Sequence, residues 1–306
     1  MRYRQLTDRP VADATFDCVH LNGKIYEVGG QQLATRIYDI SAGTWASGAA
    51  VPSDWVDRRE VRCATDGTYI YAAGGAEGTG GGLATSRVDR YDIGGDSWSS
   101  MTDLPADRCA GIFVAWGGSL WYAGGGDEAG ASSGVTDVYE YDIAGDSWAK
   151  VGDLSVGNHQ PYGGVTSGGV LIVAGGKNAG LAVADTHSYD LSDDSTADLS
   201  DMPDAVFLGA AEMSYDELWC FGGKTATGSS NRTNYVQRYC VASGNWTARG
   251  HLFTANDQFN AGACAADGRD IWLGIGRIGT SASNNSDEWW HYIGGPRLSG
   301  SIGGSD

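Results

Sequence analysis

Lysine is nearly missing from this 306-residue chain, with four residues against 16 arginines, and acids outnumber bases 38 to 20 for a net charge of −18. With no basic stripe to offset that acidity, nucleic acid is excluded as a partner, because binding a phosphate backbone depends on Lys and Arg. No run of eighteen apolar residues occurs, so no helix is expected to cross a membrane. The six cysteines contain no C-x-x-C pair, which removes the common zinc and redox motifs. Cys18, Cys63 and Cys264 each lie twelve residues before a repeated glycine (Gly30, Gly75 and Gly276), so they share one repeat position in three units. Buried structural thiols are therefore expected, rather than a Cys220–Cys240 disulfide. The five histidines show no i,i+4 pair and no carboxylate at ligand spacing, and no metal or cofactor is expected. Helical periodicity is absent throughout, which excludes an α or α/β fold.

What is present is a diglycine closing a strand-like apolar run. It ends Ile25–Gly30, Ile70–Gly75, Leu120–Gly125, Leu171–Gly176 and Leu218–Gly223, with a degenerate copy at Ile271–Gly276. The second glycines are 45, 50, 51, 47 and 53 residues apart, so one supersecondary unit is repeated six times. A tyrosine follows each loop after the diglycine, at Tyr38, Tyr91, Tyr141, Tyr189, Tyr239 and Tyr292. Four of these have a tryptophan seven residues later: Trp45, Trp98, Trp148 and Trp246. Short Gly/Asp/Ser runs between Tyr and Trp read as hairpin turns. The unit is therefore four short strands, the pattern of a propeller blade.

Diglycine, Tyr and Trp at this period resemble the kelch repeat, and the resemblance covers residues 1 to 293. It implies an all-β, six-bladed propeller of four-stranded antiparallel blades, with glycines where neighbouring blades approach. Thr196 stands in the tryptophan position of blade four and Ile275 replaces a glycine in blade six, so both blades are expected to pack less tightly. Tyr3 to Gly30 spans 27 residues, as does Trp98 to Gly125. The N-terminus thus supplies the last strand of a blade that blade six lacks. The ring is expected to close by pairing residues 2–6 with the strand at 287–292, which removes open edges. Met1-Arg2-Tyr3-Arg4 leads straight into that strand, so no signal peptide is expected. Residues 294–306 read as a Gly/Ser-rich tail outside the propeller.

Thirty aspartates, four lysines and 48 glycines resemble the proteins of extreme halophiles. At molar salt, where the Debye length is about 3 Å, the self-repulsion of such a chain is screened. The expected setting is the virion surface of a halophile's virus or otherwise the cytoplasm of an extreme halophile. The expected function is a non-enzymatic interaction or structural module, whose partner is a protein in a larger assembly or a cell-surface glycan. The alternative, implied by the kelch resemblance, is a sugar-active enzyme of the sialic-acid mutarotase or oxidase kind.

Propeller topology puts the loop after each diglycine and the loop entering the next blade on one face, which the kelch resemblance marks as the recognition face. The binding candidates there are Trp55, Arg58, Arg59, Arg108, His159, Lys177, Lys224 and Arg277. Asp13, Arg58, Arg108, His159, Val206 and Phe259 fall seventeen residues before their glycine and are expected to ring the channel mouth. Arginines at that position suit a sugar carboxylate or an acidic peptide. Trp55, in a long loop beside Arg58 and Arg59, reads as an exposed stacking platform. Trp116 on the opposite face and Trp289-Trp290 near the closure read as possible assembly contacts.

Overall fold

A computed structural model describes residues 2–30, 34–53, 55, 57–78, 82–228, 231–251, 259–260, 262–267, 270–278 and 285–293. Gln31-Gln32, Asp54, Asn256-Asp257 and the 294–306 tail lie outside the described residues. Among the described residues, six four-stranded antiparallel sheets form the blades, and two two-stranded sheets lie beside them. Their first strands are Phe16–Leu21, Arg62–Thr65, Ile112–Trp116, Tyr162–Val165, Ala210–Ser214 and Ala263–Ala266. Each of these packs on the next, and the last packs on the first, which encloses a central channel. Among the described residues, no helix is long and apolar enough to cross a membrane.

The repeat signature has a direct structural cause. Tyr38, Tyr91, Tyr141 and Tyr239 sit opposite Trp45, Trp98, Trp148 and Trp246 across the outer hairpin of their blades. Their ring centroids lie 4.8–5.4 Å apart, a spacing at which aromatic pairs stabilise beyond their buried area. The aspartate after the tyrosine holds the turn: Asp39 accepts from Ser41 and Ala42 N–H, and Asp92 accepts from Gly94 and Gly95 N–H. Such Asx turns replace backbone hydrogen bonds that a tight turn cannot make. A second aspartate in the turn takes the tyrosine hydroxyl, as in Tyr91–Asp96, Tyr141–Asp146 and Tyr189–Asp194. Asp96 and Asp146 also accept an N–H from the preceding blade, at Ala49 and Thr102. Much of the aspartate excess thus builds the fold. Blade four, with Thr196 opposite Tyr189, has an outer strand of three exposed residues, Thr196–Asp198.

The diglycines dock one blade on the next. Gly74 and Gly75 both have positive φ, 62° and 106°, and a Cβ on Gly74 would collide with the Arg108 carbonyl of the following loop. Gly75 N–H instead donates to that carbonyl at 2.8 Å, and Gly30 to Arg58 and Gly176 to Val206 repeat the arrangement. Only glycine combines this conformation with so close an approach. Each diglycine therefore fixes the position of the next blade's entering loop.

The ring closes through the N-terminus. Arg2–Gln5 pairs with Trp289–Ile293, in the register Tyr3↔Tyr292 and Gln5↔Trp290. All six cysteines are free. Cys220 pairs with Gln237 and Cys240 with Glu217, so those two thiols are not opposite one another. Trp289 is fully buried against Tyr38 and Trp45 in the seam between blades six and one, which corrects its reading as an assembly contact. Trp116 is half-buried and donates to the Ser167 carbonyl of blade four.

Candidate functional site

Around one end of the channel, the loops entering the blades share a left-handed residue: Thr15, Glu60, Ala110, Gln160 and Leu208, with φ of 53–63°. They are chained by main-chain hydrogen bonds, from Glu60 N–H to Thr15 C=O, Ala110 N–H to Glu60 C=O, and Leu208 N–H to Gln160 C=O. Non-glycine residues in this region are uncommon, and such strain gathers at functional sites. The rim they form surrounds a cavity of about 410 Å³ whose walls include Arg59, Glu60, Gln160, Lys177, Lys224 and Arg277. That volume is in the range of small-molecule sites.

Three of the cations occupy one repeat position. Lys177, Lys224 and Arg277 directly follow Gly176, Gly223 and Gly276, and each pairs with its own blade's entering loop, at His159, Phe207 and Asn260. Blades four, five and six thus present an arc of positive charge, where blades two and three have Ala76 and Gly126. The Phe207 ring lies between the two ammonium groups, 5.6 Å from Lys177 Nζ and 5.7 Å from Lys224 Nζ. Among the described residues, neither lysine nor Arg277 has a carboxylate within ion-pair distance. Burial lowers the pKa of Lys224, and Arg232, Lys177 and Arg277 lower it further. Arg277 is lowered by burial and then by Arg59. Burial is the main cause throughout, with cation repulsion added at Lys224 and attraction to Glu60 offsetting it at Lys177 and Arg277.

Other candidates are placed elsewhere. Trp55 is 3% exposed, edge-on to Trp98 at 5.3 Å and under the Arg58 guanidinium at 4.6 Å. It is no stacking platform, because its loop folds back between blades one and two. Arg58 is 1% exposed and binds Asp89 and the Gly74 carbonyl. Arg108 points into blade three, onto Asp137 and over Tyr139. The position expected to ring the mouth is thus an internal latch, and the true rim lies two residues further on. In blade four the latch is Asn158, whose side-chain N–H donates to the Gly175 carbonyl at 2.9 Å, so the expected His159 is one residue out of register. Arg59 does line the cavity and pairs with Asp57 at 2.7 Å.

His159 is fully buried, its Nε2 3.8 Å from Glu60 Oε2 and 4.0 Å from Cys109 Sγ. Burial, with Lys177 and Arg62, lowers its pKa to about 3, so the ring is neutral. Glu60 Oε1 accepts from Gln160 Nε2 at 2.6 Å across the mouth, and burial raises its pKa. The sequence gives little sign of Glu60, Gln160 and Cys109 as site residues. The shared place of Lys177, Lys224 and Arg277 after a diglycine is the signal that marks their half of the site. Deeper in the channel a second cavity of about 300 Å³ is lined by Asp17, Arg62 and Glu212. There burial, aided by Asp17, pushes the Glu212 carboxyl up to about 8.

Residues 57–105, from the loop entering blade two to the end of that blade, match the Kelch motif. No curated protein matches the sequence. The solved structure of YjhT is similar in fold, with a TM-score of 0.76 at 17% identity over 92% of this chain and 94% of that one. This chain is a six-bladed β-propeller that carries a kelch motif.

Proposed function

We propose that this propeller is a recognition module that binds a carboxylate-bearing sugar in the cavity at its channel mouth. The observation that carries the reading is the convergence of Lys177, Lys224, Arg277 and Arg59 on one concave site in a chain of net charge −18. A bound carboxylate would relieve the mutual repulsion of these groups and gain charge-assisted hydrogen bonds. The concave, half-open volume favours a single sugar unit over a flat protein epitope. Titration calorimetry with acidic and neutral monosaccharides tests this. Each charged hydrogen bond is worth about 1.5–3 kcal/mol, so Lys224→Gln with Arg277→Gln is expected to weaken acidic-sugar binding by at least ~100-fold. Equal binding of neutral sugars, or unchanged affinity in the double variant, overturns the proposal. Preferential binding of an acidic peptide would make a protein the partner.

A sugar-active enzyme is the second reading, supported by the Glu60 carboxyl on the wall of the same cavity. A saline setting belongs to the proposal and is supported by the 38 acids against 20 bases. The melting temperature is expected to rise by several degrees from dilute buffer to molar salt, as screening removes self-repulsion. A flat or falling profile by calorimetry removes that part. A virion-surface location has no support in the fold and forms no part of the proposal.

A further inference from the structure

Beneath the rim, three loops from three different blades bring a carboxylate, a thiol and an imidazole together. Glu60, Cys109 and His159 each offer a donor atom within 4.8 Å of the others. We propose that Glu60 Oε2, Cys109 Sγ and His159 Nε2 bind a divalent transition metal of the zinc type, reached through the cavity at Glu60.

Donor chemistry and placement both fit. Thiolate, imidazole and carboxylate are the three zinc ligand types, and three protein ligands with one open position are the pattern of a non-structural site. With metal–ligand bonds of about 2.0–2.3 Å, tetrahedral donors stand roughly 3.3–3.7 Å apart. The distances of 3.8 Å and 4.0 Å to His159 close with shifts of a few tenths of an ångström, and Glu60 and Cys109, within 4.8 Å of each other, close by about an ångström at most. The loops are pinned by the same main-chain pairing that recurs around the rim. Cys109 exchanges two main-chain hydrogen bonds with Gly126, and His159 exchanges two with Lys177. Gln160 occupies Glu60 Oε1 and leaves Oε2 without a hydrogen-bond partner, turned toward His159. Gln160 is thus a positioning residue for the ligand carboxylate, the usual task of an outer hydrogen bond around a metal.

Charge around the cluster is mixed. Lys177 and Arg62 oppose a cation, while Glu60 and the thiolate that Cys109 would become on binding favour one; in the free protein burial, then Glu60, pushes the Cys109 thiol pKa up, so the metal must displace its proton. On binding, the Sγ–metal bond replaces the S–H bond, and that proton leaves to solvent.

Cobalt(II) titration of the reduced protein, without any sugar, tests the site. One Co²⁺ per chain with a thiolate-to-cobalt charge-transfer band is expected, displaced by Zn²⁺. Cys109→Ser should abolish the band, and His159→Gln or Glu60→Gln should weaken binding by more than ~100-fold, above the 10–100-fold typical of outer-shell losses. All three substitutions nearly keep side-chain volume, and an unchanged circular dichroism spectrum confirms folding. Lys177→Gln separates this proposal from the sugar site: it should tighten metal binding several-fold while weakening the acidic sugar. Absence of the band in the wild type, or its persistence in Cys109→Ser, overturns the assignment.

Discussion

Deletion of residues 2–6 is expected to lower the melting temperature by about 10 °C or more and to produce aggregates. The segment contributes the outer strand of blade six through four paired positions, from Arg2↔Ile293 to Gln5↔Trp290, and Leu6 N–H continues the ladder onto the Trp289 carbonyl at 2.8 Å. At ~1 kcal/mol net for each ladder hydrogen bond the loss is about 4 kcal/mol, and each kcal/mol shifts the midpoint by roughly 2–4 °C in a domain of this size class. The exposed edge of Trp289–Ile293 then becomes a template for intermolecular pairing. Arg9 lies just beyond the deletion and staples the same seam. Its guanidinium reaches Glu27 of blade one and the Ile275 and Ser286 carbonyls of blade six, over the Phe16 ring. Because Arg9 stays, the deletion isolates the contribution of the strand itself. A truncated chain that melts cooperatively within a few degrees of the intact one would show that blade six holds without it.

That closure was legible in the sequence because Tyr3 occupies a repeat position, and repeat positions carry structural meaning wherever the unit is intact. Tyr3↔Tyr292 is the same pairing as Trp98↔Tyr91 and Trp45↔Tyr38. The site was legible in part. Repeat topology puts Lys177, Lys224 and Arg277, each directly after a diglycine position, on the face where the next blade's loop arrives, and the kelch resemblance makes that face the expected recognition face. Trp55 and Arg58 turn away from the face because their fate depends on contacts distant in the sequence. Trp55 is drawn inward by Trp98, and Arg58 by Asp89 and a carbonyl that the Gly74 conformation exposes. Neither partner is near in sequence. The slip at His159 arises because Gln160 lies sixteen residues before Gly176, where Glu60 lies fifteen before Gly75 and Ala110 fifteen before Gly125. Counting cannot say on which side of the strand the extra residue falls, whereas the Asn158 amide on the Gly175 carbonyl does. Glu60, Cys109 and Gln160 belong to a cluster that exists only when three loops are placed, and no spacing within the chain encodes it.

Asp89→Asn is expected to cost about 3–5 kcal/mol, the range for breaking a buried ion pair by removing one partner. Asp89 is fully buried, with Oδ2 accepting from Arg58 Nη1 at 2.9 Å and Arg87 Nε at 2.7 Å, while Oδ1 accepts from Arg87 Nη2 and Ser100 Oγ. The amide keeps the shape and removes the charge between two guanidiniums. Arg58, already depressed to about 10 by burial against the pull of Asp89, is left with the carbonyls of Gly74, Ala72 and Arg87. Arg58→Met removes the stranded charge, so in that background Asp89→Asn should cost under about 2 kcal/mol, a coupling measurable by a double-mutant cycle in denaturant. Additive costs would mean that the two residues stabilise the blade independently and that the lock is only a contact. The same Arg58→Met protein should bind an acidic sugar as tightly as the unmodified chain, because Arg58 lies sealed above Trp55 between the blades and not in the cavity wall. Lost sugar binding in a folded Arg58→Met protein would return Arg58 to the recognition face and move the site one loop away from the arc of Lys177, Lys224 and Arg277.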